Sequence, residues 1–325
     1  MKFVILGAGA IGGLVGGRLF QQGFDVTLVA RGAHAEALAR GLVLEAPEGT
    51  VTLPVPVVTD PSAITWTDDT VVMLGVKSQD TEPALVPLTA TAPPGTAVVC
   101  MQNGVENERR VRRRFANTYA MCVMCPATHL APGVVQAHSS PVTGLLDLGR
   151  YPEGLDATAA AIAADLDATT FQSVARPDIM RWKYRKLIMN LANAVEALCG
   201  PQGRFSPLAK EAQREGAVAM AAAEIAVASV EEDRERRADH LQLRTTTSGD
   251  WSGGSSWQSL ARGTGSIEAD FLNGEVVLLG GLHGVPTPVN ALLARLAVKA
   301  ATEGQPPGAW SVEELSALAG LTNAQ

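Results

Sequence analysis

Basic residues are scarce in this chain. Its 26 lysines and arginines are outnumbered by 33 acidic residues, giving a net charge of −7 and a pI near 5.3. That balance argues against a nucleic-acid-binding surface. Five arginines do cluster, at Arg109, Arg110, Arg112, Arg113 and Arg114, but in a helical frame they spread round the helix and read as a solvated face. No apolar run approaches the length of a bilayer span. A secretory signal is also missing: the apolar start after Lys2 is broken by glycines and interrupted by Arg18, Gln21 and Gln22. Only four of the 325 residues are cysteines. Cys122 and Cys125 form one C-x-x-C, with His129 and His138 beyond, yet no second pair exists. Tyr119 to Val123 reads as a strand, where positions three apart face opposite sides. A metal centre is therefore not expected. Charged residues make up 18% and hydrophobic residues 46%, enough for a sizeable core and unlike a disordered chain. No repeat or low-complexity tract stands out.

What is present begins at residue 2. Lys2-Phe3-Val4-Ile5-Leu6 has the apolar, β-branched texture of a buried parallel strand. Gly7-Ala8-Gly9-Ala10-Ile11-Gly12 follows directly, then a helix over 13–22 closed by Gly23, then a second strand over 25–30. Strand, G-x-G-x-x-G, helix and strand within about thirty residues make the dinucleotide-binding βαβ unit. Gly7 allows the tight turn, Gly9 lets the backbone approach the pyrophosphate, and Gly12 lets the helix pack on the strand. The pyrophosphate sits on the free N–H groups at the helix N-terminus. At the end of the second strand an NAD site places an acidic residue to accept from the ribose hydroxyls. Here that end is Val29-Ala30-Arg31, while Asp25 stands at the wrong end of the strand. A guanidinium at Arg31 suits the 2′-phosphate, so the expected cofactor is NADP(H).

Further along, strands are expected at 70–76, 96–101, around Met121, at 133–135, 142–148 and 170–174, with helices at 33–40, 81 onward, 105–115 and 156–166. This alternation implies an α/β fold with a Rossmann-type, doubly wound parallel sheet, whose ligands bind beyond the carboxyl ends of the strands. Gly9, Arg31, Lys77 and Asn103 all fall at that edge. Past about residue 177 strand signals vanish, and helices are expected over 178–199, 207–230, 256–262, 272–282 and 289–302, with a polar loop over 245–256. The domains expected are therefore 1–175, binding NADP, and 176–325, an all-helical substrate and dimerisation domain. The alanine-rich stretch from Ala217 to Val230 serves either a dimer contact or the core.

Two stretches of the helical half carry suitable chemistry. In Lys186-Leu187-Ile188-Met189-Asn190-Leu191-Ala192-Asn193, a lysine and two amides share one helix face in an apolar setting. They are either functional or a snorkelling lysine with satisfied core amides. The second stretch runs from Ser255-Ser256-Trp257-Gln258 to Ser266-Ile267-Glu268-Ala269-Asp270-Phe271-Leu272-Asn273-Gly274. Taken alone, Glu268 or Asp270 there reads equally well as a helix cap.

Together these motifs resemble the ketopantoate reductase (2-dehydropantoate 2-reductase) family over nearly the whole chain. The matching pieces are the glycine loop with Arg31, Val76-Lys77-Ser78-Gln79, Gln102-Asn103-Gly104, Lys186-Leu187-x-x-Asn190, and Glu268-x-Asp270-x-x-Asn273-Gly274, in that order. The resemblance implies NADPH-dependent reduction of ketopantoate to pantoate, as in pantothenate and coenzyme A biosynthesis. It makes Lys186 the catalytic acid, with Glu268 assisting and binding the substrate hydroxyl. Asn190 and Asn193 contact substrate, Ser255 or Ser256 binds the substrate end, and Lys77 and Asn103 line the nicotinamide side. The cofactor-binding set is then Gly7, Ala8, Gly9, Ala10, Ile11, Gly12, Arg31, Lys77 and Asn103; the substrate-binding set is Asn103, Asn190, Asn193, Ser255 and Ser256. Three features depart from the family: Cys122 to Ala127 replaces a glycine-rich segment, Gln258 and Glu268 are one residue further apart, and Asn193 follows Asn190 by three positions rather than four. Two other readings stay open, a related dehydrogenase acting on another 2-oxo or imino acid and a non-catalytic NADPH-binding protein. The few cysteines, the missing signal and the cofactor together point to the cytoplasm, and a homodimer is expected.

Overall fold

The computed structural model describes residues 1–246 and 253–321. Half of the polar loop read over 245–256, residues 247–252, lies outside the described residues. The chain divides into two compact units, Met1–Lys183 with Val230–Trp251, and Tyr184–Ser229 with Ser252–Gln325.

The first unit is built on twelve strands among the described residues. These are β1 (Lys2–Leu6), β2 (Asp25–Val29), β3 (Leu42–Ala46), β4 (Gly49–Leu53), β5 (Val57–Val58), β6 (Thr70–Leu74), β7 (Ala97–Cys100), β8 (Thr118–Met124), β9 (Ala127–Thr128), β10 (Val134–Ala137), β11 (Gly144–Arg150) and β12 (Phe171–Gln172). Its helices are α1 (Ala10–Gln21), α2 (Gly32–Leu38), α3 (Thr81–Thr91), α4 (Asn107–Arg112) and α5 (Ala157–Asp167). The main sheet runs β12-β11-β8-β7-β6-β1-β2-β5, and a smaller one runs β4-β3-β10-β9. In the main sheet β2, β1, β6, β7 and β8 are parallel neighbours. The direction reverses at β11, which runs against β8, and β12 follows β11 in parallel. The central strands are almost wholly apolar because helices and the second sheet cover both faces.

Helix α1 lies between the two sheets, which explains its poor helical composition. Gly16 meets Leu28 and Ile5 of the large sheet, and Gly17 meets Leu42 and Leu44 of the small one. A glycine costs a helix about 1 kcal/mol relative to alanine; here close packing on two sides offsets that cost.

The second unit is helical. A long helix, α6 (Ile179–Asn190), crosses the division at Lys183–Tyr184. Then come α7 (Ala192–Cys199) and α8 (Pro207–Ala222) and, after an excursion into the first unit that carries α9 (Val230–Arg237), α10 (Ser255–Ala261), α11 (Asn273–His283), α12 (Pro288–Thr302) and α13 (Val312–Leu318). Leu191, Val195, Leu198, Leu208, Val276 and Leu293 are among its fully buried residues. No described helix is long and apolar enough to cross a membrane.

The fold agrees in class with the sequence reading; the second sheet was not expected, and two helix ends and the domain boundary differ. The helix expected over 178–199 is interrupted at Leu191, whose N–H is shared between the carbonyls of Leu187 and Ile188. The helix expected over 207–230 stops at Ala222: Glu224 takes a left-handed φ of 55°, and Ile225 N–H donates back to Met220 O at 3.0 Å, a Schellman-type closure without its usual glycine. Finally, the expected boundary at 175/176 differs from the observed division. Residues 177–183 stay with the sheet, and so does 230–251, because Arg236 donates to both oxygens of the buried Asp147 on β11.

Candidate functional site

In the first unit, β2, β1, β6 and β7 are in register (Leu6 beside Val29 and Leu74, Leu74 beside Cys100). The loops carrying Gly7, Arg31, Lys77 and Asn103 therefore leave one edge of the sheet. Gly7 has φ +101°, and a Cβ there would lie 2.6 Å from the backbone nitrogen of Val76. The residue thus serves both the turn and a close approach to the next strand's loop. Nothing lies within 4 Å of a Cβ placed on Gly9, which leaves its backbone face open to a ligand. A Cβ on Gly12 would run into the Gly7 carbonyl oxygen. This cradle fits a dinucleotide pyrophosphate on the N-terminal end of α1. Arg31 is exposed and immediately precedes α2.

His34 braces the glycine loop. Gly133 N–H donates to its Nδ1 at 2.9 Å, so the ring hydrogen sits on Nε2, which donates to Ala8 O at 2.8 Å. His129 packs on it, with ring centroids 4.3 Å apart. A second device holds the other two loops. Asn107, fully buried, donates to Ser78 Oγ at 3.0 Å and to Asn103 O at 3.3 Å, and accepts from Thr81 Oγ1 at 2.8 Å. Gln102 Nε2 donates to that same threonine at 2.7 Å. Lys183 Nζ donates to Gln102 O at 3.0 Å and pairs with Glu108, both side chains being buried. Lys77-Ser78-Gln79 and Gln102-Asn103-Gly104 are thereby locked to one another, and this lysine is not the one the motif singles out. Cys122 Sγ is directed at Trp182 O and Cys125 Sγ at Thr143 O, each at 3.6 Å.

In the second unit, Lys186 is half-buried on α6, while Asn190 and Asn193 are 3% and 5% exposed. Three stretches converge on the α6–α7 junction. Asn273 Nδ2 donates to the Leu191 carbonyl at 3.2 Å and to Asn290 Oδ1 at 2.9 Å. Asn290 in turn donates to Glu215, whose carboxylate also accepts the Val289 and Asn290 N–H groups at the start of α12. The asparagine of E-x-D-x-x-N-G therefore holds the helix junction through a buried polar chain. Gly254, just before Ser255, packs on Asn193, Glu196 and Arg204. Ser256 is buried and Ser255 half-buried. Glu268 is 5% exposed. Burial holds the Arg262 guanidinium below its ordinary value, a shift the Glu268 carboxylate opposes, so Glu268 has a cation in its neighbourhood.

His34, Asn107, Glu108, Lys183, Glu196 and Arg204 were not singled out by sequence reasoning. Each works through contacts that follow no helix or strand period, from 8 residues apart for Arg204 and Glu196 to 99 for His34 and Gly133, so spacing offers no signal.

The comparisons agree with this architecture. The family described as Ketopantoate reductase PanE/ApbA matches residues 3–153, and its C-terminal partner, Ketopantoate reductase PanE/ApbA C terminal, matches residues 178–300. The 2-dehydropantoate 2-reductase of Halobacterium salinarum is 30% identical over 94% of this chain and 100% of its own length. That of Pyrococcus horikoshii is 29% identical over 90% of this chain and 95% of its own length. A PanE/ApbA family ketopantoate reductase from Ralstonia eutropha superposes with TM-score 0.77 at 28% identity, covering 94% of this chain and 100% of its own. D-mandelate dehydrogenase with NADH and anilino(oxo)acetate shares the fold, with TM-score 0.79 at 23% identity over 94% of this chain and 99% of its own.

Proposed function

Since the chain belongs to the ketopantoate reductase family, and is thus an oxidoreductase using a nicotinamide cofactor, we propose that it reduces ketopantoate to pantoate with NADPH. What supports this reading is that each unit brings its own set of groups together. The open glycine loop and Arg31 share one sheet edge, and the lysine and asparagines gather at the α6–α7 junction with the serine and glutamate stretches packed in the same helical unit.

In this reading the Gly7–Gly12 backbone holds the pyrophosphate and Arg31 the 2′-phosphate, with Lys77 and Asn103 toward the nicotinamide. When bound, the reduced nicotinamide supplies hydride to the carbonyl carbon of the 2-oxo acid. Lys186, as ammonium, stabilises the negative charge growing on the carbonyl oxygen and donates its proton there. Asn190 and Asn193 orient the substrate. Glu268 accepts a hydrogen bond from the distal hydroxyl, and Ser255 or Ser256 meets the substrate end. Fixing reacting groups on rigid, buried elements lowers the entropic part of the barrier. The fold also serves an NADH-bound dehydrogenase, so fold alone does not choose the cofactor; Arg31 supports NADPH. The reading further places the enzyme in the cytoplasm and makes it a homodimer, since α11 leaves Leu278 and Leu282 49% and 69% exposed one turn apart.

Loss of NADPH absorbance on adding ketopantoate, with NADH in parallel, tests the reading. Turnover is expected with NADPH, and Lys186→Ala is expected to lower kcat by roughly 10²–10⁴, the scale of a positioned acid. A wild-type protein that binds NADPH yet turns over no ketopantoate would move the reading to another 2-oxo or imino acid.

A further inference from the structure

Asn193 presents only one of its two amide faces. Its Oδ1 accepts from Arg204 Nη1 at 2.9 Å, and the same Nη1 donates to Glu196 Oε2 at 2.7 Å. Glu196 is 2% exposed; Arg204 is half-buried. A guanidinium has donors and no acceptor, so the reverse orientation of the amide would set N–H against N–H. The Arg204 contact is the one side-chain hydrogen bond of Asn193 among the described residues, so Oδ1 is turned to the guanidinium while both N–H groups of Nδ2 are without a partner there, in a residue that is 5% exposed. The clamp is closely packed. A Cβ on Gly254 would stand 2.7 Å from Glu196 Oε2, 3.5 Å from Arg204 Nη1 and 3.6 Å from Asn193 Oδ1. Gly254 has φ −68°, a value open to any residue, so it is close approach and not conformation that calls for glycine. The backbone leading to Ser255 and Ser256 is thereby seated on the clamp.

We propose that Arg204, balanced by Glu196, is a positioning residue that sets substrate specificity: it turns the Asn193 amide nitrogen toward the substrate and makes that position a pure hydrogen-bond donor. This rests on the reading above, in which Asn193 contacts the substrate. A donor there selects 2-oxo acids that present an acceptor oxygen. In ketopantoate the distal hydroxyl suits it, because a hydroxyl whose proton goes to Glu268 still has lone pairs to accept with. An apolar end leaves Nδ2 buried without a partner, which disfavours such substrates more than a poor fit would.

The test compares ketopantoate with 3,3-dimethyl-2-oxobutanoate, which lacks only that hydroxyl. Wild type is expected to favour ketopantoate in kcat/KM. Arg204→Met, which frees the amide to rotate, is expected to reduce that preference about tenfold or more. The change should come through KM for ketopantoate, with KM for NADPH unchanged. Asn193→Asp keeps the pairing with Arg204 but offers an acceptor outward; it is expected to lose the preference as well, and it carries the test if Arg204→Met melts early. A preference unchanged within about twofold in the variants overturns the proposal. So does a wild type that reduces both compounds equally, and that outcome leaves the reductase reading standing. A wild type that reduces neither overturns the ketopantoate reading, and this proposal with it.

Discussion

At the carboxyl end of β2, an NAD site needs a carboxylate to accept from the ribose hydroxyls. This chain has the exposed Arg31 there instead, immediately before α2. A guanidinium recognises a phosphate through two parallel charge-assisted hydrogen bonds, and losing such a contact costs about 1.5–3 kcal/mol. Arg31→Ala should therefore raise KM for NADPH by roughly 10- to 100-fold and leave KM for NADH within about twofold. Steady-state kinetics with each cofactor at saturating oxo acid would show this, and an equal loss for both would remove the 2′-phosphate role. Residues of this kind were legible because a strand, a glycine loop and a strand end fix their place in the chain. Lys183 was not. Its partners Gln102 and Glu108 lie about eighty residues away, and a buried ion pair leaves no periodic trace. Arg204 was missed for a similar reason: its partners are only 8 and 11 residues back, but a turn and a helix end separate them, so no helical spacing relates them.

Among elements, α5 shows how a single cap couples packing to pH. Asp156 Oδ1 accepts the Ala159 N–H at 2.8 Å, and Oδ2 accepts the Tyr119 hydroxyl at 2.9 Å and pairs with Arg150. Burial by itself raises the Asp156 carboxyl; the Ala159 N–H, Arg150 and Tyr119 outweigh it and hold the group below its ordinary value. A carboxylate with a depressed folded value stabilises above its unfolded pKa, near ~3.9, and that contribution is lost as pH falls through the folded value. Asp156→Ala should thus cost about 1–2 kcal/mol at neutral pH, and the gap to wild type should close below about pH 4. Urea midpoints at neutral pH and near pH 3 would decide it; a constant gap would mean that the charge contributes nothing. Most helices were legible from apolar spacing, whereas their ends were not. The break at Leu191 depends on Asn273, which supplies a donor to the freed carbonyl from about eighty residues away. The stop at Ala222 has no glycine to announce it, because Glu224 takes the left-handed position that glycine normally fills.

The whole chain is an α/β unit and a helical unit that interleave once, through 230–251. Alternating strands followed by long helical periodicity made the two classes readable in order. The interleaving was not readable, because it depends on arginine–aspartate pairing between α9 and β11 and not on local pattern. The small sheet was hidden likewise, since β3 and β10 pair from 42–46 and 134–137, a separation that no local turn signal spans. The alanine-rich stretch ends as a helix at Ala222, so it is the neighbouring α11 that offers apolar surface, with Leu278 and Leu282 one turn apart and exposed. Burying a leucine is worth about 1.5–3 kcal/mol, and a two-fold axis uses each such residue twice. Leu282→Glu would instead place a carboxylate at an apolar contact and oppose it to its own copy, in a chain already at −7. Light scattering after size exclusion should give twice the chain mass for wild type and a single chain mass for Leu282→Glu, with kcat on ketopantoate showing that the fold survives. A wild-type protein of single-chain mass, or a variant that still dimerises, would remove α11 as the interface.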